Sequence, residues 1–154
     1  MQLNLSILIP VFNGLDFTKK CLADLENVSQ TINNELIKLN TIVIDDGSKD
    51  GTSEWINKNY PYVHVLKGNG NLWWSGGINA GIRFALENLD SNYFLLWNND
   101  IKPNENYFQH IFDFIQDRPE CSIFCSSIYF LDKPDTLIST GGYFNRKNGK
   151  KFVS

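Results

Sequence analysis

Apolar positions along this chain fall into short continuous blocks that alternate with helix-spaced stripes. Leu5-Ser6-Ile7-Leu8-Ile9 predicts a buried strand, ended by Pro10. Phe17, Cys21, Leu22, Leu25 and Val28 then recur at helical spacing. The β-branched run Thr41-Ile42-Val43-Ile44 predicts a second strand, and Thr52 to Tyr60 a short helix. Val63-His64-Val65-Leu66 predicts a third strand. Ile78, Gly81, Ile82, Ala85, Leu86 and Leu89 trace one face of a helix. Tyr93 to Trp97 predicts a fourth strand, followed by a helix with Phe108, Ile111, Phe112 and Ile115 on one face. Ser122 to Phe130 suits a fifth strand, and the Gly- and Lys-rich stretch from Leu137 to Ser154 reads as irregular.

Strands alternating with helices imply βαβ units, hence an α/β fold with a mostly parallel sheet covered on both faces. Right-handed crossovers place all strand C-termini on one edge, where such sheets bind ligands. Polar residues collect there: Pro10-Val11-Phe12-Asn13, Asp45-Asp46-Gly47-Ser48, Gly68-Asn69-Gly70-Asn71 and Asn98-Asn99-Asp100 each follow one strand. Four turns thus converge on one candidate site.

Composition narrows the classes. At 154 residues with 42% hydrophobic and 20% charged positions, the chain can bury a core and suits one domain, 1–154. Its 14 basic and 17 acidic residues argue against non-specific nucleic-acid binding, which needs a basic surface. Cys21, Cys121 and Cys125 lie in apolar stretches without a CxxC pair and are expected to be buried, reduced thiols. Neither a leader nor a run near the roughly 20 residues of a membrane span is visible, so the expected setting is cytoplasmic.

The chemistry of the turns has two readings each. Asp45 and Asp46 can accept hydrogen bonds from a base or a ribose; the alternative is a turn, Asp-Gly-Ser, with Ser48 or Asp50 capping the next helix. Asp46, Ser48 and Asp50 imitate a calcium loop, but Asn57 stands where Glu belongs. Gly68 to Gly77 fails the dinucleotide fingerprint because Trp73 replaces the third Gly. No P-loop is present. What remains is a flexible loop leading into a helix, with Ser75, Gly76 and Gly77 at its start letting a ligand approach and offering N–H groups to an anion. Of Trp73 and Trp74, at most one suits the core, and the other suits a sugar or base face. Asn98-Asn99-Asp100 suits a hard divalent cation held with phosphate oxygens, or a turn capping the next helix. His64 and His110 carry no assigned role, and no nucleophile–base pair is evident.

Ile9-Pro10-Val11-Phe12-Asn13, the Val43 to Thr52 segment and the Asn98-Asn99-Asp100 triplet, in this order, resemble glycosyltransferase family 2. The likeness runs from about Leu3 to Tyr143. Asn79-Ala80-Gly81-Ile82 after a Gly-rich loop is similar to the rhamnosyl- and galactofuranosyl-type branch. The resemblance implies the GT-A fold, a Rossmann-like three-layer sandwich, and inverting transfer from a UDP- or dTDP-sugar. The acceptor would be a glycan or a lipid-linked molecule of bacterial surface polysaccharide synthesis, with the enzyme peripheral at the inner face of the membrane. Pro10 and Phe12 would line the base pocket, and Asp46 with Asp45 would bind the pyrimidine N–H. The turn residues Asn13, Asn71, Trp74, Gly76 and Gly77 complete the substrate site. Asn98, Asn99 and Asp100 stand at the family's DxD position, with Asn98 in place of the first acid. Asn99 would lie near the ribose and Asp100 would hold Mg²⁺ or Mn²⁺ on the diphosphate. The Arg common in the Gly77-Ile78-Asn79 region is missing. None of Glu105, Asp113, Asp117, Glu120, Asp132 and Asp135 matches the family's downstream base, so none is assigned. The chain then reads as the donor-binding part of such an enzyme, apparently lacking the acceptor and base region. A donor-binding module without catalysis is the alternative, and a nucleotidyltransferase lacks its Gly-rich first turn.

Overall fold

The computed structural model describes residues 2–33, 35–145 and 150–153. Two compact units divide the chain, Met1–Phe114 and Ile115–Ser154.

The first unit is built on four parallel strands: β1 (Leu3–Val11), β2 (Ile37–Asp45), β3 (His64–Lys67) and β4 (Tyr93–Leu96), in the order β3-β2-β1-β4. The helices are α1 (Leu15–Ser29), α2 (Thr52–Asn59), α3 (Trp73–Asn88) and α4 (Tyr107–Asp117). β1 and β2 lie inside the sheet and their near-continuous apolar runs are buried, as parallel strands covered on both faces require. Leu8, Ile42 and Ile44 on one face pack with Ile78 and Ala85 of α3. The other face takes α1 through Thr18, Cys21, Leu22, Leu25 and Val28. α2 shares that side with α1, where Lys19 Nζ lies 5.7 Å from the Trp55 ring. The outcome is the expected three-layer α/β sandwich with a parallel central sheet.

Pro10 does not end the first strand. It lies inside β1, opposite Ile44. Leu8 C=O accepts from Trp97 N–H on the β4 side, and Val11 C=O accepts from Asp46 N–H on the β2 side. Pro10 therefore turns its missing donor toward the β4 side, where the pairing has already ended at Leu8 and Leu96 and no ladder bond is lost. The chain leaves the sheet after Trp97 at that point. β2 begins earlier than its β-branched run suggested, at Ile37. Two residues of the predicted stripes are not core: Phe17 and Leu86 are 58% and 59% exposed, and Thr18 and Ala85 fill the buried positions beside them.

The Gly-rich stretch leads into a helix, and α3 starts at Trp73, ahead of Ser75. Gly77 and Gly81 serve close helix–sheet packing. A Cβ on Gly77 would sit 3.2 Å from Pro10 Cβ, and one on Gly81 3.0 Å from Ile44 Cδ1.

The second unit corrects two further expectations. Ser122 to Phe130 is no fifth parallel strand; only Ile128–Tyr129 (β5) is extended, pairing antiparallel with Leu137–Ser139 (β6). The stretch from Leu137 on is not irregular, since Gly142–Asn145 (β7) pairs antiparallel with Lys150–Val153 (β8). Residues 146–149 and 154 of that expectation lie outside the described residues. Cys21 is buried, but Cys121 is half-buried and Cys125 exposed, so only the first fits the expected buried thiol. No helix among the described residues is long and apolar enough to cross a membrane.

Candidate functional site

The C-terminal ends of β1 and β2 are tied together before any ligand is considered. Asn13 takes a positive φ of 50°, its N–H donates to Ser48 Oγ, and its Oδ1 accepts from Lys49 N–H. Asp50 serves two helices at once. Its Oδ2 accepts from Leu15 N–H at the start of α1, and its Oδ1 from the Thr52 N–H and hydroxyl at the start of α2. The cap residues Gly14 and Gly51 have no side chain for this task, so Asp50 supplies the missing acceptor. Desolvation raises the Asp50 carboxyl, but the hydrogen bonds from Thr52 and Leu15 outweigh it, and its pKa lies below the ordinary carboxylate value. Asp45, buried, accepts from Ser48 N–H and from the Ser53 hydroxyl.

Asp46 organises the third turn. Its Oδ1 accepts from Gly70 N–H at 2.8 Å, and its Oδ2 from Leu72 N–H at 2.8 Å and Trp73 N–H at 2.9 Å. The carboxylate thus sits at the N-terminus of α3, where the helix dipole favours an anion. That changes the expectation for Gly76 and Gly77. Gly76 N–H is already bonded to Leu72 C=O, and Gly77 is buried against Pro10. Neither glycine opens the helix N-terminus to a phosphate; an internal carboxylate occupies it.

Between these turns lies a cavity of about 330 Å³, lined by Pro10, Val11, Phe12, Asp46, Gly70, Trp73 and Trp74. Its walls are largely aromatic. Phe12, Trp73 and Trp74 are 61%, 80% and 48% exposed, which marks them as a surface awaiting a partner and not as core. The fourth turn reaches this wall through one bond, from Trp74 Nε1–H to Asn98 Oδ1 at 3.0 Å. Asn99 turns away, its Nδ2 donating to Thr18 Oγ1 of α1. A Cβ on Gly14 would fall 2.9 Å from that nitrogen, so Asn99 and Gly14 share one space. Asp100 is exposed.

The structure therefore brings Pro10, Phe12, Asp46 and Trp74 to one cavity and ties Asn98 to it. It does not bring Asn13, Asp45, Asn71, Gly76, Gly77, Asn99 or Asp100 to the cavity wall. Asn71 is exposed, and its N–H donates to Asn69 Oδ1. Val11, Gly70 and Trp73 line it too; the sequence placed Val11 and Gly70 in turns at this edge without a role and left open which of Trp73 and Trp74 faces a ligand. The Gly68-x-Gly70 spacing and the unusual Trp-Trp pair were the available signals.

Nearby, burial pushes the Cys21 thiol up to about 12, opposed by the Trp97 indole and reinforced by the charges of Asp24 and Asp100. Trp97 Nε1 lies buried beside that sulfur without completing a hydrogen bond. Cys21 is therefore an inert packing thiol.

Among the described residues no cluster of three or more His, Cys, Asp or Glu could hold a metal by itself. The triplet offers one free-standing carboxylate, Asp100. That donor set fits a Mg²⁺ or Mn²⁺ ion held chiefly by ligand phosphates and water, which needs one or two carboxylates from the protein.

The profile of "Glycosyl transferase family 2" matches residues 6–151. The chain is 33% identical to the chondroitin synthase of Pasteurella multocida over 98 residues, covering 58% of this chain and 9% of that protein. It is 28% identical to an uncharacterized glycosyltransferase of Rickettsia conorii over 141 residues, covering 90% of this chain and 19% of that protein. Among solved structures, S. aureus TarS 1-349 in complex with UDP aligns with a TM-score of 0.59 at 18% identity, over 86% of this chain and 43% of that one. A mannosyltransferase of Pyrobaculum calidifontis in complex with GDP-Man and Mn²⁺ aligns with a TM-score of 0.54 at 15% identity, over 69% of this chain and 30% of that one. The chain thus spans at most about a fifth of these two curated relatives and under half of these solved structures.

Proposed function

Taking as premise that the chain belongs to glycosyl transferase family 2, we propose that its aromatic cavity binds the nucleotide of a nucleoside-diphosphate-sugar donor. The observation that carries this is the cavity's position and lining. Phe12, Trp73 and Trp74 surround it at the strand C-termini, where α/β sheets take their ligands. Aromatic faces of this kind stack on a planar base, and the bond from Trp74 to Asn98 joins that wall to the triplet that would meet the diphosphate.

In this reading the donor is a UDP- or dTDP-sugar. Asp100 holds Mg²⁺ or Mn²⁺, which supplies Lewis-acid neutralisation of the leaving diphosphate when bound. The sugar passes with inversion to a glycan or lipid-linked acceptor in surface polysaccharide synthesis. The chain works at the cytoplasmic face of the membrane, in the rhamnosyl- and galactofuranosyl-type branch. The six acidic side chains after Asp100 are all exposed and none is assigned as base. Donor binding, and not turnover, is therefore the activity assigned to the described residues.

Calorimetric titration with UDP and dTDP, with and without Mn²⁺, tests the reading. Saturable one-site binding, strengthened by Mn²⁺ and with that increment lost in Asp100→Ala, is expected. No saturable binding to either nucleotide would overturn it.

A further inference from the structure

A second cavity lies in the first unit, on the α1 side of the sheet, and its walls differ from those of the donor site. We infer that it is a separate binding site for a small organic cation of the quaternary-ammonium type, held by the Glu26 carboxylate and the rings of Tyr60 and Tyr62. The two cavities are well apart. Leu39 and Thr41, which line the second, precede Asp46 along β2 by roughly 20 Å of extended chain.

A short helix creates this cavity. α2 ends at Asn59 after 8 residues and leaves part of the sheet face beside α1 uncovered. Leu39 and Thr41 of the interior strand β2 are therefore only half-buried, where parallel strands covered on both faces are normally buried throughout. Together with Ile7, the register partner of Thr41, they form the floor. Leu22 and Leu25 of α1 close one side, and the chain from Tyr60 to Val63 closes the other. That connection is pinned by two backbone bonds, from Tyr60 N–H to Ile56 C=O at 2.7 Å and from Val63 N–H to Tyr60 C=O at 2.9 Å. The Tyr60 and Tyr62 rings meet nearly edge to face, with centroids 5.9 Å apart. The volume is about 190 Å³, below the roughly 300–1,000 Å³ of pockets for drug-sized ligands, so the occupant has few heavy atoms.

Charge selects the class of occupant. Among the described lining residues Glu26 is the only acid, and none is Lys or Arg. Glu26 Oε1 accepts from the Tyr62 hydroxyl at 2.8 Å, which uses one of the roughly four acceptor sites of a carboxylate. The ion pairs of the described residues join Lys19 to Asp16, Lys67 to Glu54 and Lys102 to Asp24, and none reaches Glu26. Both tyrosines register this uncompensated carboxylate. Burial, the bond to Glu26 and its charge push the Tyr62 phenol up to about 12, and burial with the same charge raises Tyr60. An anion would be repelled here. A metal ion would meet a single carboxylate, and among the described residues no cluster could hold one. An ammonium carried under methyl groups satisfies all the walls at once: the carboxylate by charge, the rings by cation–π attraction and the aliphatic floor by apolar contact.

Choline chloride and its neutral isostere 3,3-dimethylbutan-1-ol are the probes, each titrated into the isotope-labelled full chain at matched ionic strength. Choline is expected to give saturable amide shifts at residues 26, 39–41 and 60–64, with a dissociation constant of about 1 mM, the range open to a ligand of so few atoms. The neutral alcohol is expected to bind at least about tenfold more weakly. Glu26→Gln removes the charge at an exposed helix position and should abolish that preference. Tyr62→Ala removes a ring and should weaken choline about tenfold, whereas Tyr62→Phe keeps the ring and should stay within about twofold of wild type. No saturable shifts with choline, shifts clustered away from these residues, equal binding of the alcohol, or choline affinity unchanged in Glu26→Gln would each overturn the inference. UDP titration of the same samples reads the donor site separately, so either site can fail while the other stands.

Discussion

Gly77→Ala sets two known effects against each other. Alanine is favoured over glycine in a helix interior by about 1 kcal/mol. The new methyl would lie 3.2 Å from Pro10 Cβ, 3.5 Å from Pro10 Cγ and 3.6 Å from Ile44 Cγ2. Pro10 Cβ belongs to a ring closed on the β1 backbone, so it cannot rotate aside, and relief requires α3 or β1 to move. Overpacking of this kind costs about 1–3 kcal/mol. The clash wins, and a net loss of about 1 kcal/mol lowers the melting temperature by about 2–4 °C for a chain of this size. Gly81→Ala is the control. Its nearest neighbours, Ile44 Cδ1 at 3.0 Å and Leu8 Cδ2 at 3.1 Å, are the ends of rotatable side chains. Its melting temperature is therefore expected to stay within about 2 °C of wild type, helix gain offsetting local repacking. Pro10 also lines the cavity, so Gly77→Ala weakens UDP binding and Gly81→Ala does not. Thermal melts followed by circular dichroism, paired with UDP titration, read both effects. A Gly77→Ala chain that melts higher than wild type with unchanged UDP affinity would refute the packing argument.

Other outcomes follow from the same geometry. Asp50→Ala removes the acceptor shared by α1 and α2 and is expected to cost about 1–2 kcal/mol at neutral pH, as other cap losses do. Because the folded carboxyl has a lowered pKa, its contribution is complete above the ordinary Asp value of about 3.9 and lost as pH falls through the lower folded value. The gap in melting temperature between wild type and variant should therefore hold down to about pH 4 and close below it; a gap that is constant through acid pH contradicts this. Thiol titration of the native chain at pH 8 should find Cys125 reactive and Cys21 protected until the chain unfolds, since burial pushes the Cys21 thiol up to about 12. Trp74→Phe keeps a ring in the wall and removes only the donor to Asn98. It is expected to weaken UDP binding about two- to tenfold with little change in melting temperature, and equal affinity would remove Asn98 from the site.

The architecture was legible because its signals are local. Each parallel strand announced itself by a continuous apolar run, and each polar turn followed its strand within a few residues. The failures came where a partner is distant in sequence. The start of α3 at Trp73 looked like a Gly-rich loop because the anion that satisfies it, Asp46, lies 27 residues earlier. Ser122 to Phe130 has strand-like composition, yet only Ile128 and Tyr129 find a partner, and composition cannot report pairing. β7 and β8 were hidden by Gly and Lys for the same reason.

The candidate site shows the same division. Residue types in the Asp45 to Asp50 segment flagged the right edge of the sheet, but most of their hydrogen bonds hold turns and helix starts. Asp45 serves Ser48 and Ser53, and Asp50 serves Leu15 and Thr52. The aromatic residues that line the cavity carry a weaker sequence signal, because an exposed Trp and a buried Trp look alike until the backbone places them. Trp73 and Trp74 differ from Trp97 only in that placement.

The most direct test of the account is to map where UDP binds on the isotope-labelled chain by amide chemical shifts. Saturable shifts confined to residues 11–13, 46, 70–74 and 98–100, the four turns around the aromatic cavity, are expected. Shifts clustered elsewhere on the chain, or no saturable shifts, would contradict it.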